Sequence, residues 1–381
     1  MSLRIGIVTW CGVRNFGTGL QAYALQKVLQ DAGHDVVILK RKKMLLGKGV
    51  KASFLRGLAR LGLLDLVLWL KRLFSRKTAL QRKREKWLSD HDRIVDVSTP
   101  RRLRLCCSRL DCIISGSDQI WNTYHHFDPF HFLDFAKGIK RISYASSIGT
   151  SDVNPIHADE VRALLEGFDR ISTREAVARD ALARLTGRPD VVQVLDPTLL
   201  ITGDEWRRVA ADAKLDLEVP KRFLLCYLLS SDPKYVEQIA VVKDRLGVDN
   251  VVILPSHENP RFRLDGALTC RLATPSEFIA LLDRAACVVT DSFHCTAFCV
   301  NLSRPFVEFK RFRDDDRSSQ NSRIYDLLGR YGLGSRFYDE TSFGWCEPVD
   351  FKAADAILAK ERRASRDYLF GAIGGNTPCR K

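Results

Sequence analysis

Three polar side chains close a short apolar run late in the chain: Cys287-Val-Val-Thr290 leads into Asp291, Ser292 and, two residues on, His294. Small and apolar residues then resume with helical character through Ala297 and Phe298. That order reads as a buried strand delivering polar groups into a loop, with a helix starting directly after it. In open α/β sheets ligands bind outside the carboxyl ends of strands, and a helix N-terminus there favours anions. His294 would sit at such a terminus, and an imidazole titrates close enough to neutrality to move a proton. A plainer reading makes it a satisfied histidine at a helix start.

Other candidates sit at other strand ends. Asp111–Ser115 reads as a buried strand that runs into Gly116-Ser-Asp-Gln-Ile-Trp-Asn122, where Asp118, Gln119, Asn122 and the face of Trp121 are groups that bind sugars. Arg174 stands between Ser172 and Glu175, whose spacing fits a capping box opening a helix over 176–185, so the arginine would project near a helix terminus and suit an anion. Lys310, Arg311 and Arg313 follow a strand at Pro305–Phe309. Cys11–Gly19 is a loop with Gly12, Gly17 and Gly19, which either brings backbone close to a ligand or forms a tight turn for packing.

The elements that must position these groups alternate. Arg4–Trp10 is a strand, Leu20–Ala32 has helical spacing, Gly33 ends that helix, and Asp35–Lys40 is a second strand. The glycine spacing is not that of a dinucleotide fingerprint. Further strands are expected at 142–145 and 192–195. A second alternation follows: strand 223–229, helix 232–246, strand 251–254, and a helix opened by Thr274-Pro-Ser-Glu277, a capping box with proline in its first turn. Ala353–Leu369 reads as a charged C-terminal helix. The expected fold class is α/β, two Rossmann-like domains facing each other across a cleft. The boundaries fall at 1–205, 206–350 and, for the C-terminal helix and tail, 351–381.

The net charge is +14 over 381 residues, and its distribution is uneven. Between Lys40 and Lys86 there are 16 lysines and arginines against Asp65 and Glu85, a surplus of 14 that equals the excess of the whole chain. The middle of this insertion, 54–74, mixes leucines, Trp69 and phenylalanines with arginines and lysines. That composition suits either a basic amphipathic element on an anionic membrane surface or ordinary surface helices. No nucleic-acid-binding module surrounds the charge, and nucleic acid is not an expected partner. The 11 cysteines show no metal spacing, and several sit in apolar runs, as expected of buried thiols in a reducing compartment. No secretory signal and no apolar run near the roughly 18 residues of a membrane helix is evident. The expectation is a cytoplasmic protein without a structural metal or cofactor, peripheral on the inner face of the membrane if the basic insertion binds lipid.

Taken in chain order, Asn15-Phe-Gly-Thr18 with Leu20–Gln26, Gly116–Asn122, Tyr144-Ala-Ser-Ser-Ile-Gly149, Ser172-Thr-Arg-Glu175, Asp196-Pro-Thr198, Thr290-Asp-Ser-Phe-His294 and Asn321-Ser-Arg323 resemble the motifs of the polysaccharide pyruvyl transferase family. The resemblance implies a fold like that of GT-B glycosyltransferases. It also implies transfer of pyruvyl from phosphoenolpyruvate to two hydroxyls of a sugar, as a ketal, on a cell-surface glycan or its lipid-linked precursor. It carries the donor-binding arginine onto Arg174 and the cleft histidine onto His294; proton transfer by that histidine calls for an acid to orient it, and Asp291 is the one assigned. Asn15, Gly17, Thr18 and Gln119 join the substrate-binding set, and Asp118 with Asn122 are the acceptor or second-site groups. Two departures stand out. Ser292 replaces an arginine found in some relatives, leaving Lys310, Arg311 or Arg323 to neutralise the donor's second charge. Cys295 replaces a glycine and reads as a small filler. A nucleotide-sugar glycosyltransferase of the same architecture and a non-catalytic membrane-associated protein of glycan assembly are the alternatives.

Overall fold

The structure is a computed structural model that describes residues 2–41, 57, 77–314 and 319–374. The expected amphipathic element at 54–74 therefore lies outside the described residues, Gly57 apart. The first half is a parallel sheet of β1 (Arg4–Val8), β2 (Asp35–Lys40), β3 (Ile94–Asp96), β4 (Cys112–Ser115) and β5 (Lys140–Ser143), in the order β3-β2-β1-β4-β5. Two short parallel strands, β6 (Ser172–Thr173) and β7 (Val192–Gln193), extend beside it. The second half repeats the plan with β8 (Leu224–Tyr227), β9 (Val251–Ile253), β10 (Leu268–Thr269), β11 (Cys287–Thr290) and β12 (Phe306–Glu308), ordered β10-β9-β8-β11-β12. All four residues of β4, β8 and β11 are buried, which is why these strands read as unbroken apolar runs: helices cover both faces of a parallel sheet. In each sheet the chain reverses direction of travel between the first and fourth strands, and the crevice outside their carboxyl ends is where such sheets bind ligands.

The halves share one apolar cluster rather than merely touching. Helix Phe16–Asp31 of the first half lies against helix Pro275–Arg284 of the second, with Phe16 stacked on Phe278 at 5.1 Å and Tyr23 against Trp206 at 5.9 Å. Each fully buried ring of this kind contributes about 1.5–3 kcal/mol. Two further helices brace the joint. Helix Ala79–His91, the described end of the basic segment, packs Trp87 against Tyr23, and the Trp87 Nε1–H donates to Ser276 Oγ in the second half at 2.9 Å. Lys83 of the same helix pairs with Glu277 at 2.9 Å. The C-terminal helix Lys352–Gly374 returns to the first half, where Ser365 Oγ accepts from Leu195 N at 3.0 Å and the Tyr368 hydroxyl donates to Ser143 O at 3.3 Å. Among the described residues no helix is long and apolar enough to cross a membrane.

Candidate active site

The polar core of the molecule gathers where β4 to β7 end. Arg174 follows β6 and is 3% exposed. Its Nε–H donates to Glu175 Oε1 and its Nη1–H to Asp196 Oδ2, both at 2.9 Å. Ser147 Oγ, from the loop after β5, donates to the same Glu175 oxygen at 2.7 Å, and Ser117 Oγ, from the loop after β4, to Asp196 Oδ2 at 3.1 Å. Burial opposes the charge of Arg174, but Glu175 and Asp196 outweigh it and hold its pKa above the ordinary value. Asp196 is likewise pushed up by burial yet held far below the usual carboxylate range by His294 and Arg174. The capping box expected of Ser172 and Glu175 does not form. Ser172 Oγ instead donates to Ser143 O, and Glu175 turns inward onto Arg174.

His294 enters from the second half. It lies in the first turn of helix Phe293–Asn301, which starts directly after β11, as the apolar-run-then-polar pattern implies. Its Nε2 lies 3.6 Å from Asp196 Oδ2, a charge contact just beyond hydrogen-bond reach. Its ring rests on Gly17 of the first half: a Cβ built there would come within 2.3 Å of His294 Cγ and 2.4 Å of its Cβ and Nδ1. The carboxylate facing His294 is therefore that of Asp196, in place of the expected Asp291. Asp291 accepts from Leu229 N at 2.6 Å, Ser230 N at 2.8 Å and the Tyr235 hydroxyl at 3.2 Å, pinning the loop after β8. Burial raises its pKa despite those donors.

Phe293, beside His294, packs against two arginines. The Arg174 guanidinium lies 4.1 Å from the centre of its ring and that of Arg323 5.7 Å, so one ring holds two buried cations in place. Burial, with Arg174 next, pulls the Arg323 pKa down to about 10. Arg174, Asp196, Phe293, Arg323, Asp326 and Arg330 line a recess here. Within this cluster Arg174 Nη2, Glu175 Oε2 and His294 Nε2 are buried without a hydrogen-bond partner among the described residues. Buried polar atoms are almost always paired, so three orphans in one cluster linked through Arg174 and Asp196 mark a place built for a polar ligand.

The remaining expected residues divide. Asp118 acts on Arg174 and Arg323 through its charge: it adopts φ 72°, a costly left-handed conformation for a non-glycine residue, and its Oδ2 accepts from Thr18 Oγ1 at 2.8 Å. Asn15 caps helix Phe16–Asp31, accepting from Thr18 N at 3.3 Å. Gln119 Nε2 donates to Gln320 Oε1 at 2.9 Å, reaching from the first half to the second. Asn122 is occupied by Gln119 and by the amides of Tyr124 and His125 in a turn. Trp121, whose face was expected to meet sugar, is instead fully buried and stacked on Phe132 at 5.2 Å. Lys310 is exposed and paired with Asp314 at 3.0 Å; Arg311 pairs with Glu258. Ser292 is the N-cap residue of its helix, but its side chain makes no capping bond, and Cys295 is fully buried. Asp196, Phe293, Ser117, Ser147 and Gln320 carried no role in the sequence reading. Asp196 does two jobs, because its Oδ1 caps a short helix by accepting from Thr198 N and Oγ1 while its Oδ2 serves the site.

The family model for polysaccharide pyruvyl transferase matches residues 15–309, which contain Arg174, Asp196 and His294 and end before Gln320 and Arg323. The chain belongs to the polysaccharide pyruvyl transferase family. Membership makes the protein a transferase and implies a pyruvyl donor and a glycan acceptor. No curated protein matches the chain. Solved structures that resemble it include a Staphylococcus aureus MnaA–UDP co-structure, at 11% identity and TM-score 0.50, covering 99% of both chains. A second is the kitacinnamycin glycotransferase, at 14% identity and TM-score 0.51, covering 97% of both. Such likeness speaks for the fold alone: the two Rossmann-like halves expected from the alternation of elements, in the GT-B arrangement implied by the family resemblance.

Proposed function

We propose that the site transfers pyruvyl from phosphoenolpyruvate to two hydroxyls of a sugar in a cell-surface glycan or its lipid-linked precursor. The observation that carries this reading is the pair of orphaned buried nitrogens, Arg174 Nη2 and His294 Nε2, arrayed around one carboxylate, Asp196. A donor bearing a carboxylate and a phosphate needs fixed N–H groups of this kind. In the overall reaction the donor's methylene carbon gains a proton and becomes a methyl group, C2 gains bonds to two sugar oxygens, and the C2–O bond to phosphate breaks. The two hydroxyl protons balance the methyl group and the released phosphate. His294, whose Nε2 lies 3.6 Å from Asp196 Oδ2, supplies the proton at Nε2 or holds the phosphate, while Arg174 Nη2 binds the donor. Asp118, on the loop after β4, is assigned to the acceptor side. The surplus of positive charge at 40–86 supports a position at an anionic membrane surface, where a lipid-linked acceptor would lie.

The test is transfer by His294→Ala and Arg174→Ala, with folding checked separately by thermal unfolding. Folded variants that keep wild-type transfer from phosphoenolpyruvate would defeat both assignments. The nucleotide-sugar reading, which has the fold likeness on its side, is separated by a thermal-shift panel of phosphoenolpyruvate against UDP-, GDP- and CMP-sugars, since a specific ligand stabilises by mass action.

A further inference from the structure

Nearly every cation around the site is matched by a carboxylate. Arg174 has Glu175 and Asp196, Lys310 has Asp314, Arg311 has Glu258, and Arg330 has Asp326 at 3.1 Å and Glu361 at 3.5 Å. Arg323 departs from the pattern. It is 7% exposed, yet its Nη2–H donates to Gln320 Oε1 at 2.8 Å and its Nε–H to Gln320 O at 3.3 Å, with no carboxylate partner among the described residues. The Gln320 amide oxygen also accepts from Gln119 Nε2 at 2.9 Å, and Gln119 Oε1 accepts from Asn122 Nδ2 at 3.0 Å. A chain of neutral amides thus fixes the direction of the guanidinium from both halves without pairing its charge, which Glu175 and Asp118 offset only through space. Glutamate has the same shape as glutamine and would pair with Arg323 outright, so the amide at 320 is the feature that keeps this buried cation available. Burying an unmatched charge is expensive, and an anionic ligand offsets that cost.

We propose that Arg323 is the second donor-binding cation, the one that answers for serine at 292, and that Gln320 is the positioning residue that holds it in place without neutralising it. The inference rests on the phosphoenolpyruvate reading of the site and selects among its three candidate cations, since Lys310 and Arg311 are already paired. Gln320→Glu is the decisive variant. It should raise the KM for phosphoenolpyruvate about tenfold or more, the worth of one charge-assisted hydrogen bond, with kcat much less affected. The deficit should shrink as pH falls and the new carboxyl protonates, a dependence that a purely structural role would not produce. Arg323→Gln should show the same KM effect without that pH dependence. A folded Gln320→Glu protein whose phosphoenolpyruvate affinity equals the wild type's would overturn the proposal. Titration calorimetry with inorganic phosphate keeps the two levels apart. A wild type that binds phosphate but not phosphoenolpyruvate defeats the donor reading, and equal phosphate affinity in wild type and Gln320→Glu then defeats this inference on its own. A wild type that binds neither anion defeats both.

Discussion

Gly17→Ala isolates the contact on which the site depends, the seating of His294 from one half against the helix start of the other. Gly17 is in the second position of helix Phe16–Asp31, where the helical backbone accommodates alanine. The added methyl would lie 2.3 Å from His294 Cγ and 2.4 Å from its Cβ, whereas ordinary contact begins at 3.4 Å. Relieving the overlap takes a displacement of 1.1 Å (3.4 − 2.3). Because the Cβ is also hit, rotating the ring does not suffice, and one of the two helices must move. Overpacking of this kind costs about 1–3 kcal/mol. Misplacing a reacting group by about 1 Å costs on the order of 100-fold in rate. Steady-state transfer from phosphoenolpyruvate, alongside thermal unfolding, should therefore show a folded enzyme with kcat/KM down about 100-fold. Wild-type kinetics in a folded Gly17→Ala protein would mean that His294 does not act from its observed position.

Other changes separate structure from chemistry. Asp196→Asn removes a carboxylate shared by Arg174, Ser117 and the contact with His294, and breaking one side of a buried pair should cost about 3–5 kcal/mol of stability in a denaturant titration. Unchanged stability would show that Glu175 alone suffices for Arg174. Asp291→Asn should lose about 1–3 kcal/mol, because one of its two loop amides then faces an NH2 group, while the kcat of the folded protein stays near wild type; a shifted pH–rate profile at unchanged stability would restore Asp291 as the orienter of His294. Glu308 is fully buried and its pKa is raised well above 4.5 by burial, so the folded state holds a proton that the unfolded chain releases. Its contribution is present below the unfolded value and is lost as pH rises towards the folded value, so stability falls with pH in that window. Glu308→Gln should flatten this fall when unfolding midpoints are compared across pH, and parallel profiles would contradict it. Vesicle flotation should show binding to anionic membranes that weakens with added salt; absence of binding at low salt would remove the membrane role of residues 40–86.

Much of the architecture could be read before the structure, and the reasons are physical. Parallel strands buried on both faces leave unbroken apolar runs, which is how β4, β8 and β11 announced themselves. The strands β3 and β10, of three and two residues, are too short for any periodicity to register. The fold-level motifs converged as expected, but roles within them followed space rather than sequence. Asp291 is three residues from His294 yet bonds a neighbouring loop, while Asp196, nearly a hundred positions away, supplies the facing carboxylate. Ser172 and Glu175 had the spacing of a capping box, and the demand of a buried guanidinium overrode it. The use of Phe293 as a rest for two arginines depends on chain segments that only the fold brings together.

The most direct test of the account is mass spectrometry of candidate sugar acceptors incubated with the protein and phosphoenolpyruvate, with inorganic phosphate measured in the same reactions. The account predicts an acceptor mass increased by one pyruvyl ketal and a matching release of phosphate, both lost in folded His294→Ala. Transfer of a glycosyl group from a nucleotide sugar, with phosphoenolpyruvate left unconsumed, would contradict it.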